Sequence, residues 1–116
     1  MIKFTSLLLA ISGLATSATA QSSVLDGAWA MNPDSCNVTN TDLVPMRISG
    51  TTIFGYESRC ELTNPVNIRG MSGQLFDLVC SGEGEEWTTR GLILLNQDGT
   101  LVYSHDGWTS ILHRCD

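Results

Sequence analysis

The stretch EWTTRGLILLNQDGTLVYSHDGWTSILHR, residues 86–114, decides the fold class. Glu86 to Leu95 reads as a strand, Asp98-Gly99 as a tight turn, Thr100 to Ser104 as a strand and Asp106-Gly107 as the next turn, before Trp108 to Arg114 closes the domain. An Asp-Gly step flanked by alternating apolar residues is a hairpin signal, because glycine adopts the positive φ that such turns require. Two of them in succession make an antiparallel meander.

Upstream the pattern continues. Gln74 to Cys80 is a strand with Phe76, Leu78 and Cys80 on one face, and Ser81-Gly82-Glu83-Gly84 reverses the chain. Val66-Asn67-Ile68-Arg69 alternates as a segment of its own before the turn at 70–73, and Arg59 to Leu62 is extended with Cys60 and Leu62 sharing a face. Between them Asn64-Pro65 requires an edge or a bulge, since proline lacks the N–H of a ladder. Met46 and Ile48 alternate ahead of Gly50, and Thr51 to Tyr56 is rich in β-branched and aromatic residues. Asp26 to Met31 is the first strand, with Trp29 pointing inward, and Asn32-Pro33-Asp34-Ser35 is a turn. After residue 20 no window offers eleven residues of helical periodicity. The expected fold is all-β: a small antiparallel meander of six to eight strands, as a barrel or a sandwich.

The chain has 116 residues, 42% hydrophobic and 16% charged, which suits one small globular domain and excludes a disordered tail. Its first 20 residues have the parts of a secretory signal: Lys3, an apolar run from Phe4 to Leu14, and the small-x-small site Ala18-Thr19-Ala20. Cleavage there leaves residues 21–116 as a single β domain without a membrane-length segment. Lys3 is the only lysine, so the domain sets five arginines against twelve acids, a net charge of −7. Such a surface repels phosphate backbones and anionic headgroups, which argues against nucleic-acid binding and electrostatic membrane docking.

Cys36, Cys60, Cys80 and Cys115 are an even set in an exported chain and read as two disulfides. Zinc sites bring ligands close together in sequence, and these spacings do not. Three pairings are open. Cys60 and Cys80 sit on segments that read as two arms of one hairpin, which favours Cys60–Cys80 with Cys36–Cys115; the latter would bring first and last segments together and suits a barrel.

Trp29, Pro33 and Cys36, then YESRC at 56–60, LVCSGEG at 78–84 and Arg114-Cys115 resemble small, largely uncharacterised exported proteins of alphaproteobacteria. That resemblance implies a periplasmic or secreted compartment and a fold, not a reaction. Gly27-Ala28-Trp29 is similar to the entry of calycin-type β-barrels, which include lipocalins and bacterial metalloprotease inhibitors.

Candidate sites are few. Glu83, Glu85 and Glu86, with Asp77 nearby, form the densest acidic stretch, and oxygen ligands on a glycine-bearing turn suit calcium. A calcium loop needs five or more oxygens, so a solvated turn is the simpler reading and no metal or cofactor is expected. Ser104-His105-Asp106 holds hydrolase residue types, but neighbours on a strand face opposite ways and cannot form the relay. His105 is expected at the surface. With neither HExxH nor GxSxG, no enzymatic activity is expected. Trp29, Trp87 and Trp108, with Tyr56 and Tyr103, are the residues for an aromatic platform that takes a sugar ring or anchors a partner, but in so small a core at least two of the tryptophans are expected inside, with Trp108 as the exposed one. Tyr56-Glu57-Ser58-Arg59 places Glu57 and Arg59 on one face as an ion pair first and a recognition site second.

These residues point to a non-enzymatic, disulfide-stapled module that contacts a protein or envelope-complex partner through Trp108, Tyr56, Glu57, Arg59, Glu83 and Glu85. One alternative is a calycin-type protease inhibitor whose segment Gln21 to Leu25 projects into a protease cleft. Another is a small-ligand or carbohydrate binder, for which the core looks too small to leave a cavity.

Overall fold

In a computed structural model, which describes residues 24–115, eight antiparallel strands close into a barrel in chain order. They are β1 (Gly27–Ala30), β2 (Met46–Ser49), β3 (Thr52–Gly55), β4 (Ser58–Asn67), β5 (Gln74–Gly82), β6 (Glu85–Leu95), β7 (Leu101–His105) and β8 (Trp108–Cys115). Each strand pairs with the next, and β8 closes on β1 through Ala28↔Cys115, Trp29↔Arg114 and Ala30↔His113. Closure gives every strand two neighbours, which resolves barrel against sandwich. The expected signal segment, residues 1–20, lies outside the described residues.

The turns follow their sequence chemistry. Glu83 and Gly84 (φ 50° and 80°) and Asp106 and Gly107 (φ 46° and 82°) sit between strands joined by two-residue loops. Two successive positive φ values are what a type I′ hairpin needs. Asp98-Gly99 belongs to a longer loop, with Asn96 O accepting from Gly99 N at 3.1 Å and Gly99 alone at positive φ.

Two elements differ from the sequence reading. Val66 and Asn67 are the end of β4 and not a separate strand: the ladder to β5 shifts register between Thr63 and Val66, so Asn64-Pro65 is absorbed as a bulge. The turn at Asn32 continues as a 3₁₀ helix, Pro33–Asn37, whose Asn32 side chain caps Asp34 N.

Inward-facing residues fill the barrel: Trp29, Ile48, Ile53, Phe76, Leu78, Ile93, Leu101 and Leu112 are buried. Trp29 is the one tryptophan inside. Trp87 and Trp108 are 43% and 73% exposed, against the expectation of two buried, because both lie where their strands begin, beyond the packed layer. The disulfides are Cys36–Cys115 and Cys60–Cys80, as the hairpin argument favoured. Cys60–Cys80 bridges facing residues inside the barrel, whereas Cys36–Cys115 ties the 3₁₀ helix to the last strand. Two such bonds place the domain in an oxidising, non-cytoplasmic compartment. No helix among the described residues is long and apolar enough to cross a membrane.

Candidate functional site

An up-and-down barrel sends alternate connections to opposite ends. One end receives the long connection 31–45 and the turns 56–57, 83–84 and 106–107; the other receives 50–51, 68–73, 96–100 and the incoming chain at Val24. The second end is closed. Trp29 Nε1 donates to Leu25 O at 2.9 Å, and Arg114 donates to Val24 O and Asp26 O at 2.6 and 3.0 Å. The segment up to Leu25 therefore lies against the barrel floor at its last two residues instead of projecting, and residues 21–23 lie outside the described region.

The first end is open. A cavity of about 260 Å³ enters the barrel between Ile53, Cys60, Leu78, Cys80, Trp87, Thr89, Tyr103 and His105. Beside it a second, of about 200 Å³, reaches Trp29, Ser110 and Leu112, and both are lined by Asp42, Val44, Met46, Tyr103 and His105. The core thus leaves space at its upper end, contrary to the expectation from composition. The cause is strand chemistry: Gly55 and Gly91 bring no side chain to the interior, and the Cys60–Cys80 bridge occupies the place of two larger residues.

His105 is half-buried, not exposed as expected, since it is the last inward-facing residue of β7 and packs against Tyr103 with ring centroids 4.8 Å apart. Burial pushes the Tyr103 hydroxyl above its ordinary value of 10.0. Ser104 faces outward, its Oγ 2.9 Å from Thr109 Oγ1, so Ser104, His105 and Asp106 do not assemble.

Of the sequence candidates, Tyr56, Glu57, Glu83, Glu85 and Trp108 come from three separate turns that gather around this opening. Arg59 does not join them. Glu57 is at φ 54° in the turn after β3, which removes it from the extended geometry needed to pair with Arg59. Arg59 instead donates to Glu61 at 2.7 Å on the outer wall, with its guanidinium 5.9 Å from the Phe54 ring. Arg59 and Thr52 hold the Glu61 carboxyl below its ordinary value of 4.5. Asp77 lies on β5 against Arg90 and Asn64, away from Glu83. Among the described residues no three His, Cys, Asp or Glu side chains converge to hold a metal ion. The acids ring the opening without meeting.

The sequence names Trp87 and Tyr103 only as aromatics and His105 only as a surface residue, without placing them at one opening, and it does not single out Asp42. The first three carry a readable signal, because inward positions on β6 and β7 at the strand ends facing these turns must line the mouth. Asp42 lies in an irregular connection whose path no local pattern dictates.

No protein-family model matches the sequence, and neither a curated protein nor a solved structure matches it.

Proposed function

We propose that the chain is a non-enzymatic interaction module, exported by its leader to the periplasm or the medium, that engages a protein partner through the open end of the barrel. One observation carries this reading. Met31, Leu43, Tyr56, Trp87 and Trp108, each a large exposed apolar side chain, come from four connections or strand starts and surround one opening. Clustered aromatic and Met side chains around a desolvated recess are the composition of binding hot spots. A rigid frame with two disulfides holds them with little ordering cost on association.

Of the segment Gln21 to Leu25 on which the inhibitor reading relies, Val24 and Leu25 are held by the barrel.

The test is photo-crosslinking in the native host with benzoylphenylalanine at position 87 or 108, and at wall positions 79 and 111. A discrete adduct shared by 87 and 108 and missing from 79 and 111 is the expected result. Equal adducts from the wall, or none from the mouth, would refute the reading.

A further inference from the structure

We propose that the open end receives a cationic side chain, an arginine or lysine presented by a basic protein partner. The proposal rests on the interaction reading and deepens it.

The connections at the open end carry charge of one sign. They hold Asp34, Asp42, Glu57, Glu83 and Asp106, with Glu85 at the start of β6, and neither arginine nor lysine, while Arg47 and Arg59, near the same ends of β2 and β4, share an outward row with Glu86. The ion pairs found among the described residues, Arg59–Glu61 and Arg90–Asp77, lie on the wall and neutralise none of these. What the acids surround is aromatic: Trp87 and Tyr103 line the recess, and Tyr56 and Trp108 stand at its rim. A ring of negative charge steers a cation to the opening, and π faces reward one that enters.

The size of the recess selects the occupant. Each of the two adjoining cavities, of about 260 and 200 Å³, is by itself smaller than the roughly 300–1,000 Å³ of pockets that enclose a small molecule. They admit one long side chain, while Met31 and Leu43, which line the smaller recess and remain largely exposed, need a broader apolar surface to cover them. Arginine suits both demands, with an apolar stem for the wall and a planar head that stacks on an indole or phenol ring.

The exported protein is titrated with a disulfide-cyclised peptide bearing one arginine at its tip, and with the same peptide bearing citrulline, followed by tryptophan fluorescence. The arginine peptide should bind at least ten-fold more tightly. Trp87→Ala should abolish the difference and Trp87→Phe, which keeps a π face, should restore most of it. Glu83→Gln and Asp106→Asn should each weaken binding several-fold, while Asp77→Asn on the wall should not. Equal binding of the two peptides, no binding of either at millimolar concentration, or equal effects of Asp77→Asn and Glu83→Gln would each overturn the proposal. A mouth-specific cross-link from positions 87 and 108 would still leave the interaction reading standing in those cases.

Discussion

The Arg114 guanidinium lies 4.2 Å from the centroid of the Trp29 ring, and the two residues are direct partners where β8 closes on β1. The seam of the barrel and its floor are therefore one contact. The guanidinium also donates to the Val24 and Asp26 carbonyls, so the incoming chain is fastened by the last strand. Gly27 is part of the same device: its φ is 136°, and a Cβ there would come within 3.2 Å of the Arg114 guanidinium. The spacing Gly27-Ala28-Trp29 is the local trace of this packing.

Arg114→Ala should cost about 1–3 kcal/mol, from the lost cation–π contact and the two carbonyls left without their charged donor. Arg114→Lys should recover only part, since an ammonium cannot cover the ring and reach both carbonyls in one plane. Urea denaturation reads the stability, and acrylamide quenching should find Trp29 newly accessible in the alanine variant. An alanine variant as stable as the parent would show that closure does not depend on this stack.

The two disulfides should differ in worth. On the chain-entropy account, the loop closed by Cys36–Cys115 spans 79 residues and that closed by Cys60–Cys80 spans 20, giving about 4.5 and about 3.3 kcal/mol at 25 °C. Replacing each pair by alanine should lower the urea midpoint more for Cys36 and Cys115. The reverse order would mean that the loss of interior packing at Cys60 and Cys80 outweighs loop entropy.

The all-β class and the hairpin order were legible because they are local: Asp-Gly turns and alternating apolar residues act within ten residues of chain. Trp29 was read as core for the same reason. The exposure of Trp87 was not legible, since alternation assigns a residue to a face and not to a height along the barrel. Glu57 and Arg59 failed as a pair because one positive φ takes Glu57 out of the strand, and no rule of spacing anticipates that at a glutamate. The open mouth depends on eight strand ends meeting in space, a property of closure that no single segment carries.

Stability should fall at both ends of the pH scale, for different groups. Hydrogen bonds from Thr100 hold the Asp98 carboxyl below its ordinary 3.8, and those from Arg59 and Thr52 hold Glu61 below 4.5. A carboxylate favoured in the fold stabilises above its unfolded pKa, and that contribution is lost as pH falls through the depressed folded value. The loss should therefore begin near pH 4.5 and deepen below it, and Arg59→Gln should make the acid limb shallower. Tyr103 has the opposite sign: its raised pKa leaves stability intact below pH 10 and removes it above, as a buried phenolate is disfavoured. Tyr103→Phe should flatten the alkaline limb. Urea midpoints measured from pH 2 to 11 check both, and an unchanged acid limb in Arg59→Gln would exclude that pair as a source.

Gly91 faces inward on β6, and a Cβ there would sit 2.7 Å from Leu78 Cδ1. Leu78 is fully buried and has no room to withdraw. Gly91→Ala should thus overpack the layer just below the mouth, at about 1–3 kcal/mol, and Leu78→Ala should cost about 2–5 kcal/mol from the cavity it leaves. Because the added methyl and the deleted isobutyl group compete for the same space, the double variant should be more stable than the two separate losses added together. A double-mutant cycle in urea measures the coupling. Strict additivity would show that β6 shifts away from β5 to accommodate the methyl, and the floor of the recess would then be compliant, not fixed by Leu78.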